Sequence, residues 1–402
     1  MQIGNFWRKI VMTKRLLIVG LVLLMVGGAT GRVFAADPIK IGMYADLSAG
    51  TAQWGTDAEK GARLRVKELN EQGGIMGRPI ELIIYDCKTS PTEAVKAYTR
   101  LVQQDQVCAV YGSLLSNTGL AVSPVAAQLK VPTVSRAMDE RVTTPNFDPD
   151  DPENPGPPNP YFFLLQPSAF QQAAMIAGYA IDELGLNTFA MLYNKGNAYA
   201  EYLAKGFEYY VTERGKEMLG SFEFQAGDMD YKAQLTKIKQ LQPDGLFIPN
   251  YVTQNANAVK QARELGLETT FLGNNSWYKP MDEVAGDAAD GGYFPNNIAF
   301  DDPSLQWFFD AYKAEYGVEP RLHSFSGWDD VGFILHAIEK AQSTDPEKIR
   351  DAMESTTEFE GIIGTINIDP ETHRPVGLKM SILYFDGAEI KTAELKYYPK
   401  EP

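Results

Sequence analysis

Strands and helices alternate along most of this chain, and that alternation constrains its fold more than any other feature. A predicted strand at residues 39–44 is followed by a helix at residues 54–70, where apolar side chains recur at helical spacing. A second strand at residues 81–85 precedes a helix at residues 91–104, which begins with a proline. Repeats of this kind build a parallel sheet covered by helices on both faces. The chain is therefore predicted to be an α/β protein.

The same alternation returns between residues 187 and 274, so the chain contains two similar α/β series. The two series are separated by residues 143–160, which contain seven prolines and almost no large apolar side chain. We expect this segment to be an exposed loop between domains. A length of 402 residues is sufficient for two or three domains. We predict two lobes of similar size, each with a doubly wound parallel sheet.

Residues 107–139 join a strand, a small polar turn and a helix. The apolar run at residues 107–111 ends at Gly112, a polar turn leads into a helical pattern, and a second strand follows at residues 131–135. The first N–H groups of a helix have no intrahelical partner and favour an anion. Open α/β sheets bind ligands at the carboxyl ends of their strands. We expect a small-molecule site there.

The charge distribution argues against nucleic-acid binding. Residues 1–36 contain five basic and no acidic residues, and the remainder has 32 basic against 52 acidic residues, a balance of −20. Such a surface repels phosphate backbones and anionic membranes.

The first 36 residues have the pattern of a secretory signal peptide. Lys14 and Arg15 precede an apolar run at residues 16–28, and small residues before Ala36-Asp37 provide a cleavage site. The run is too short to span a bilayer comfortably. We expect a soluble protein that is exported and released by cleavage.

The two cysteines, Cys87 and Cys108, follow one predicted strand and precede another. Parallel strands hold these positions roughly 10 Å or more apart, whereas bridged Cα atoms lie within about 7 Å. We expect two unpaired thiols.

The sequence lacks the usual patterns of catalytic and cofactor sites. His323, His336 and His373 are scattered without metal-ligand spacing. No G-x-S-x-G, G-x-G-x-x-G or phosphate-binding loop pattern is present. We expect neither an enzyme nor a resident cofactor or metal.

Short motifs throughout the chain resemble those of the leucine/isoleucine/valine-type periplasmic solute-binding proteins of ABC transporters. They are Ile39-Lys40-Ile41-Gly42, Leu47-Ser48 with Gln53-Trp54-Gly55, NEQGGIMGRPI at residues 70–80, Tyr111-Gly112 with Ser116, Asp230-Tyr231, Leu265-Gly266-Leu267, and AGDAADG at residues 285–291. The similarity extends over residues 38–384, and the turn at residues 70–80 is its most specific element.

The resemblance implies a type I periplasmic binding fold, in which a three-strand hinge joins the lobes and the solute is trapped between them. Crossings expected near residues 162–166, 294–298 and 375–379 agree with this arrangement. The N-terminal lobe would comprise residues 37–161 and 297–376, and the C-terminal lobe residues 162–296 and 377–402.

The resemblance also implies a set of ligand-binding residues. Trp54 takes the place of an aromatic residue over the ligand. Ser116, with Asn117 and Thr118, would hold an α-carboxylate through hydroxyl and N–H groups. Ala137, Met138 and Asp139 match a turn that offers oxygen atoms to an ammonium group. Tyr199 and Tyr251 match the tyrosines of the second lobe that close on the solute. Asn275 stands where amino-acid binders of this family have a glutamate that faces the ammonium.

Two departures leave the ligand class open. Asn275 removes the expected carboxylate, whereas Asp139 introduces one where a hydroxyl is expected, so an amino acid remains possible. Alternatively, Arg136 and the aromatic residues, including Trp277, would clamp a flat carboxylate, an amide or a cationic amine. For Arg136 and Trp277 themselves we favour exposed loop positions.

We therefore expect a periplasmic receptor that captures a small polar solute, an amino acid or a related amide or carboxylate. It would act as a monomer and deliver the solute to ABC permease subunits in the membrane. The alternative is a ligand-sensing protein that docks on a signalling receptor.

Overall fold

The alternation of strand and helix extends over most of the computed structural model, which describes residues 37–112 and 114–398. The predicted signal peptide lies outside the described residues. The strands in the described part are β1 (Ile39–Ala45), β2 (Ile80–Asp86), β3 (Val110–Gly112), β4 (Thr133–Ser135), β5 (Phe162–Leu164), β6 (Thr188–Lys195), β7 (Glu217–Gln225), β8 (Gly245–Phe247), β9 (Thr270–Leu272), β10 (Tyr293–Asn296), β11 (Phe359–Gly361), β12 (Gly364–Ile366), β13 (Met380–Asp386) and β14 (Glu389–Tyr397). The helices are α1 (Ala52–Glu71), α2 (Pro91–Gln103), α3 (Ser116–Leu129), α4 (Ala169–Asp182), α5 (Ala198–Glu213), α6 (Lys232–Leu241), α7 (Val252–Glu264), α8 (Met281–Ala285), α9 (Gln306–Tyr316), α10 (Leu322–Ala341) and α11 (Pro346–Glu354).

The strands form two main sheets, one in each lobe, which confirms the predicted fold class. The first sheet has the order β2-β1-β3-β4-β5, and its neighbouring strands are all parallel. The second sheet has the order β14-β13-β10-β9-β8-β6-β7. Its strands β6 to β10 pair in parallel, whereas β13 is antiparallel to both β10 and β14. The second sheet is therefore mostly parallel, and β13 and β14 form an antiparallel hairpin at one edge.

The chain crosses between the sheets three times in the described residues. β5 lies in the first sheet, and α4, which follows it, packs against α5 of the second lobe. After β10 the chain returns, and α9 and α10 pack against α1. It crosses again between β12 and β13. The lobe boundaries remain a prediction, and this distribution of the elements supports it.

Glycines allow α1 and α10 to approach closely. A Cβ atom on Gly61 would lie 1.9 Å from the carbonyl oxygen of Ser324, and one on Gly327 would lie 2.0 Å from that of Ala58. The N-terminal turns of these helices are held side by side as a result, and both turns reach the candidate site.

The proline-rich segment was expected to be an exposed loop between domains, and this expectation is wrong. It joins β4 to β5, which are neighbouring strands of the first sheet. Phe147 anchors it, because its buried ring packs 5.7 Å from the ring of Phe170 in α4. The Asn159 amide also donates to the Ser123 carbonyl oxygen at 2.7 Å. These side chains bury parts of a segment whose composition predicts exposure.

Cys87 and Cys108 are free, buried thiols. They flank opposite edges of β1, since β1 pairs with β2 on one side and with β3 on the other. The strand register separates them by about six residues, or roughly 20 Å at 3.3 Å per residue. Burial raises the pKa of each thiol to about 12.

Candidate functional site

A cavity of about 770 Å³ lies between the two lobes. Its walls come from loops at the carboxyl ends of strands in both sheets, the edge at which open α/β sheets bind ligands. The first lobe contributes Trp54 after β1, Ser116 after β3, and Arg136 and Met138 after β4. The second lobe contributes Tyr199 after β6, Tyr251 after β8 and Asn275 after β9. Six of the predicted site residues therefore share one cavity with Arg136.

The N-terminus of α3 provides hydrogen-bond donors at one end of the cavity. Leu115 occupies the cap position and has no side-chain oxygen to accept from the first N–H groups of the helix. The Ser116 hydroxyl accepts from the backbone N–H groups of Met138 and Asp139, each at 3.2 Å. Both lone pairs of the hydroxyl are thereby used, and its proton remains available to donate. This end of the cavity suits an anionic oxygen.

Aromatic rings from both lobes form a wall of the cavity. The Trp54 ring meets the Tyr251 ring edge-on, with centroids 5.6 Å apart. Tyr251 in turn stacks on Tyr199 at 6.0 Å, and the His323 ring lies 5.0 Å from Trp54. Trp54 and His323 belong to α1 and α10, so the close approach of these helices brings the two rings together.

Asn275 connects this wall to Met138 across the cavity. The Tyr199 hydroxyl donates to Asn275 Oδ1 at 2.6 Å. The Asn275 amide nitrogen lies 3.9 Å from the Met138 sulfur, a weak acceptor. Asn275 therefore presents a neutral amide where the resemblance leads one to expect a carboxylate.

Three of the predicted residues are not among those that line the cavity. The Asn117 side chain is exposed, so only its backbone N–H belongs to the α3 terminus. Ala137 is fully buried in the core of the first lobe. Asp139 caps the turn that follows β4, and it accepts from Arg141 Nε at 2.9 Å and Arg141 Nη2 at 2.6 Å.

Arg136 is buried, and its expected position on an exposed loop is wrong. Its side chain is 2% exposed, and it holds Asp330 of α10 through Nη2–Oδ1 (2.7 Å) and Nε–Oδ2 (2.8 Å) contacts. Burial opposes the guanidinium charge, but Asp330 outweighs it and raises the pKa of Arg136. The sequence signal for this pair was Asp330 itself, because a carboxylate inside an apolar helix needs a buried partner.

Trp277 is likewise a core residue, contrary to the expected exposed position, and it is not among the residues that line the cavity. Its indole N–H donates to the Ile248 carbonyl oxygen at 3.0 Å. Two glycines make room for the ring: a Cβ atom would lie 2.2 Å from it at Gly273 and 2.7 Å from it at Gly292.

His323 is a cavity residue that the sequence did not indicate, because a single histidine at a helix start has no distinguishing pattern. Its Nδ1 is buried and has no hydrogen-bond partner among the described residues. Burial and the positive charge of Arg136 lower the pKa of His323 to about 3. The ring is therefore neutral at physiological pH.

No group of three or more His, Cys, Asp and Glu side chains within residues 37–112 and 114–398 is arranged to hold a metal ion. In the same two ranges, no helix has both the length and the apolar character that a bilayer span requires.

Known proteins are similar to this chain over most of its length. A family model described as periplasmic binding protein matches residues 38–387. A leucine-, isoleucine-, valine-, threonine- and alanine-binding protein from Pseudomonas aeruginosa is 26% identical over 349 residues, which cover 86% of this chain and 90% of that protein.

Solved structures are similar over a comparable extent. A leucine binding protein from Thermotoga maritima has a TM-score of 0.77 and 26% identity, covering 88% of this chain and 97% of that one. The branched-chain amino acid transporter substrate binding protein from Streptococcus pneumoniae, solved with isoleucine, has a TM-score of 0.77 and 27% identity, covering 89% and 99%.

Proposed function

The chain belongs to the periplasmic binding protein family, and on that basis we propose that it is the substrate-binding component of an ABC transporter. The resemblance inferred from the sequence is confirmed by the family match and by the relatives. Since the family consists of solute-binding proteins, the expectation of a binding protein and not an enzyme is confirmed as well. The captured ligand is a small polar solute, an amino acid or a related amide or carboxylate.

The observation that carries this proposal is the cavity between the lobes. Both lobes contribute to it, so a solute in the cavity contacts both at once and stabilises their closed arrangement. A carboxylate of the solute accepts from the α3 terminus and Ser116. The aromatic side chains of Trp54, Tyr199 and Tyr251 cover the rest of the solute, with Met138 and Asn275 beside them.

The same premise leads to proposals for location and partners. The relatives include a transporter substrate binding protein, which favours delivery to membrane permease subunits over the sensing alternative. We propose that the protein is exported to the periplasm, that residues 1–36 are cleaved as a signal peptide, and that it binds its solute as a monomer.

A thermal-shift screen followed by calorimetry tests the proposal. The screen covers amino acids, amides, aromatic acids and quaternary amines, because a ligand that binds only the folded state raises the melting temperature. Titration calorimetry then compares the wild type with Ser116→Ala, which should bind the best solute more weakly by about 1–3 kcal/mol through loss of a buried hydrogen bond. The matched control is Ser304→Ala, at an exposed position away from the cavity. No shift with any class of solute, or equal affinity in Ser116→Ala, would contradict the proposed site.

A further inference from the structure

Among its described lining residues, the cavity offers an ammonium group unpaired amide oxygens of Asn297 and Gln254 but no buried carboxylate that is free of a partner, which bears on the class of its solute. The acidic side chains among its described lining residues are Asp57, Asp228 and Glu283. Asp228 and Glu283 are exposed, so water already solvates their charge. At the end near Ser116, Asn275 is neutral, and its oxygen is already taken by the Tyr199 hydroxyl.

Asp57 is the remaining acidic lining residue, and its charge is already engaged. It lies on α1 and accepts from Gln53 Nε2 at 2.9 Å. Arg321 Nη1 is 3.9 Å from its other oxygen and offsets its negative charge. An ammonium buried in the cavity would therefore lack a free carboxylate, and an unpaired buried cation is costly.

Hydrogen-bond donors, by contrast, converge on the cavity. The α3 terminus and the Ser116 hydroxyl provide donors at one end. Arg136 also lines the cavity, and its Nη1 is buried with no hydrogen-bond partner among the described residues, although Nε and Nη2 are held by Asp330. A buried N–H without an acceptor is unfavourable, and an oxygen atom of a solute relieves it.

We propose that the solute is an organic acid without an ammonium group, and that Arg136 Nη1 is a specificity-determining donor to one of its oxygen atoms. This inference rests on the proposed function, since it assigns the substrate class of the same cavity. The aromatic wall of Trp54, Tyr251 and His323 packs against the apolar or planar part of the acid. The His323 ring is neutral, so it adds no positive charge to the cavity.

Matched pairs of ligands test the inference directly. Titration calorimetry compares 4-methyl-2-oxopentanoate with leucine and phenylpyruvate with phenylalanine, since the members of each pair share a side chain and differ at the ammonium-bearing carbon. The acid of at least one pair should bind at least tenfold more tightly than its amino acid. An amino acid that binds as tightly as its acid, or more tightly, in both pairs overturns the inference.

Two variants test the assigned residues. Asn275→Glu places a carboxylate where amino-acid binders of this family face the ammonium. It should reduce the ratio between the affinities of the acid and the amino acid in each pair at least tenfold, whereas Asn275→Gln should leave this ratio unchanged. The double variant Arg136→Gln/Asp330→Asn removes the guanidinium and its counter-charge together, so that neither charge is left buried alone. It should bind the acid at least tenfold more weakly, with its fold checked by circular dichroism. If it does not fold, Asn275→Glu decides, and an unchanged difference there overturns the inference.

The outcomes separate the inference from the proposed function. If none of these four ligands binds but another solute from the broad screen occupies the cavity, the substrate class is wrong and the binding function stands, unless that solute is itself an acid without an ammonium group. If no solute binds at all, both are overturned.

Discussion

Trp54 lines the cavity and also contacts the second lobe. It lies in the first turn of α1 in the first lobe, and its ring meets the ring of Tyr251 in the second lobe edge-on. A half-buried indole of this kind supplies a large contact surface with little conformational freedom to lose.

Trp54→Ala should weaken binding of the solute by about 1–3 kcal/mol, because the contact area of the ring is lost. Titration calorimetry measures the change. Trp307→Ala is the matched control, since Trp307 is 47% exposed on α9 and is not among the residues that line the cavity. Equal affinity in wild type and Trp54→Ala would remove this residue from the site.

Glu140 should make the stability of the protein depend on pH. Burial raises the pKa of its carboxyl to about 7, although Arg374 and Ser168 oppose the shift, and the carboxyl accepts from the Phe170 N–H at 2.8 Å. The folded protein therefore favours the protonated form. The contribution of Glu140 to the free energy of unfolding is complete below its ordinary pKa of about 4.5. This contribution is lost as the pH rises through about 7.

Glu140→Gln, which is neutral at every pH, should abolish this loss. Between pH 5 and pH 8 the wild type should lose on the order of 2–3 kcal/mol of stability relative to the variant. Urea unfolding at pH 5 and pH 8 measures the difference, and Glu339→Gln, at an exposed position on α10, is the control. A wild type whose stability relative to Glu140→Gln is the same at both pH values would refute the argument.

The polar turn that contains Ser116 was expected at a site because it follows a predicted strand. Tyr199 and Asn275 were implied by the resemblance, and all three residues line the cavity. Asp139 also follows a strand, but its carboxylate pairs with Arg141 and does not line the cavity. The sequence pattern does not show which partner a side chain takes. Arg136 was misplaced because its partner, Asp330, is 194 residues away in the chain.

At the scale of elements, the contact between α1 and α10 sets the geometry of the cavity. Gly61 and Gly327 face backbone atoms of the opposite helix, so neither position has space for a side chain. The N-terminal turns that carry Trp54 and His323 meet as a consequence of this approach.

Gly327→Ala should reduce the free energy of unfolding by about 1–3 kcal/mol or more, because the added Cβ would displace the Ala58 backbone. Gly332→Ala on the same helix is the control. The nearest atom there is Arg65 Nε at 3.2 Å, on a flexible side chain, and alanine favours a helix by about 1 kcal/mol over glycine. Chemical denaturation compares the two. Equal stability of both variants would show that the helices have room to separate.

Periodicity predicted strands inside the sheets and the edge strand β2, but it missed the edge strand β14. β14 was not predicted, although Asp386-Gly387 before it is a hairpin signal. Gly387 has a φ of 61° in that turn, which glycine adopts readily. The prolines of residues 143–160 indicated an irregular segment correctly, but composition cannot show which of its side chains are buried.

At the scale of the molecule, the hinge and the cavity are adjacent. Asn297, after β10, donates to Gln166 Oε1 at 3.0 Å, and Gln166 Nε2 donates to the Arg136 carbonyl oxygen at 2.6 Å. These contacts tie two of the crossings to the loop that carries Arg136. A rotation of the lobes therefore changes the cavity directly.

The solute should shift the protein toward the closed arrangement, since only that arrangement lets both lobes contact it. Small-angle X-ray scattering should show a smaller radius of gyration when the solute is added. At the same solute concentration, the radius of gyration of Trp54→Ala should decrease less, because a smaller fraction of the variant has solute bound. An unchanged radius at saturating solute would contradict capture by closure.

The central claim is that a solute lies between the lobes with its carboxylate at the α3 terminus. A crystal structure of the protein with its tightest-binding solute tests this most directly. The account predicts density in the cavity, with carboxylate oxygens within hydrogen-bonding distance of Ser116 and the backbone N–H groups of α3, and with Trp54 packed against the remainder. A solute bound outside the cavity, or one that turns its apolar end toward Ser116, would contradict it.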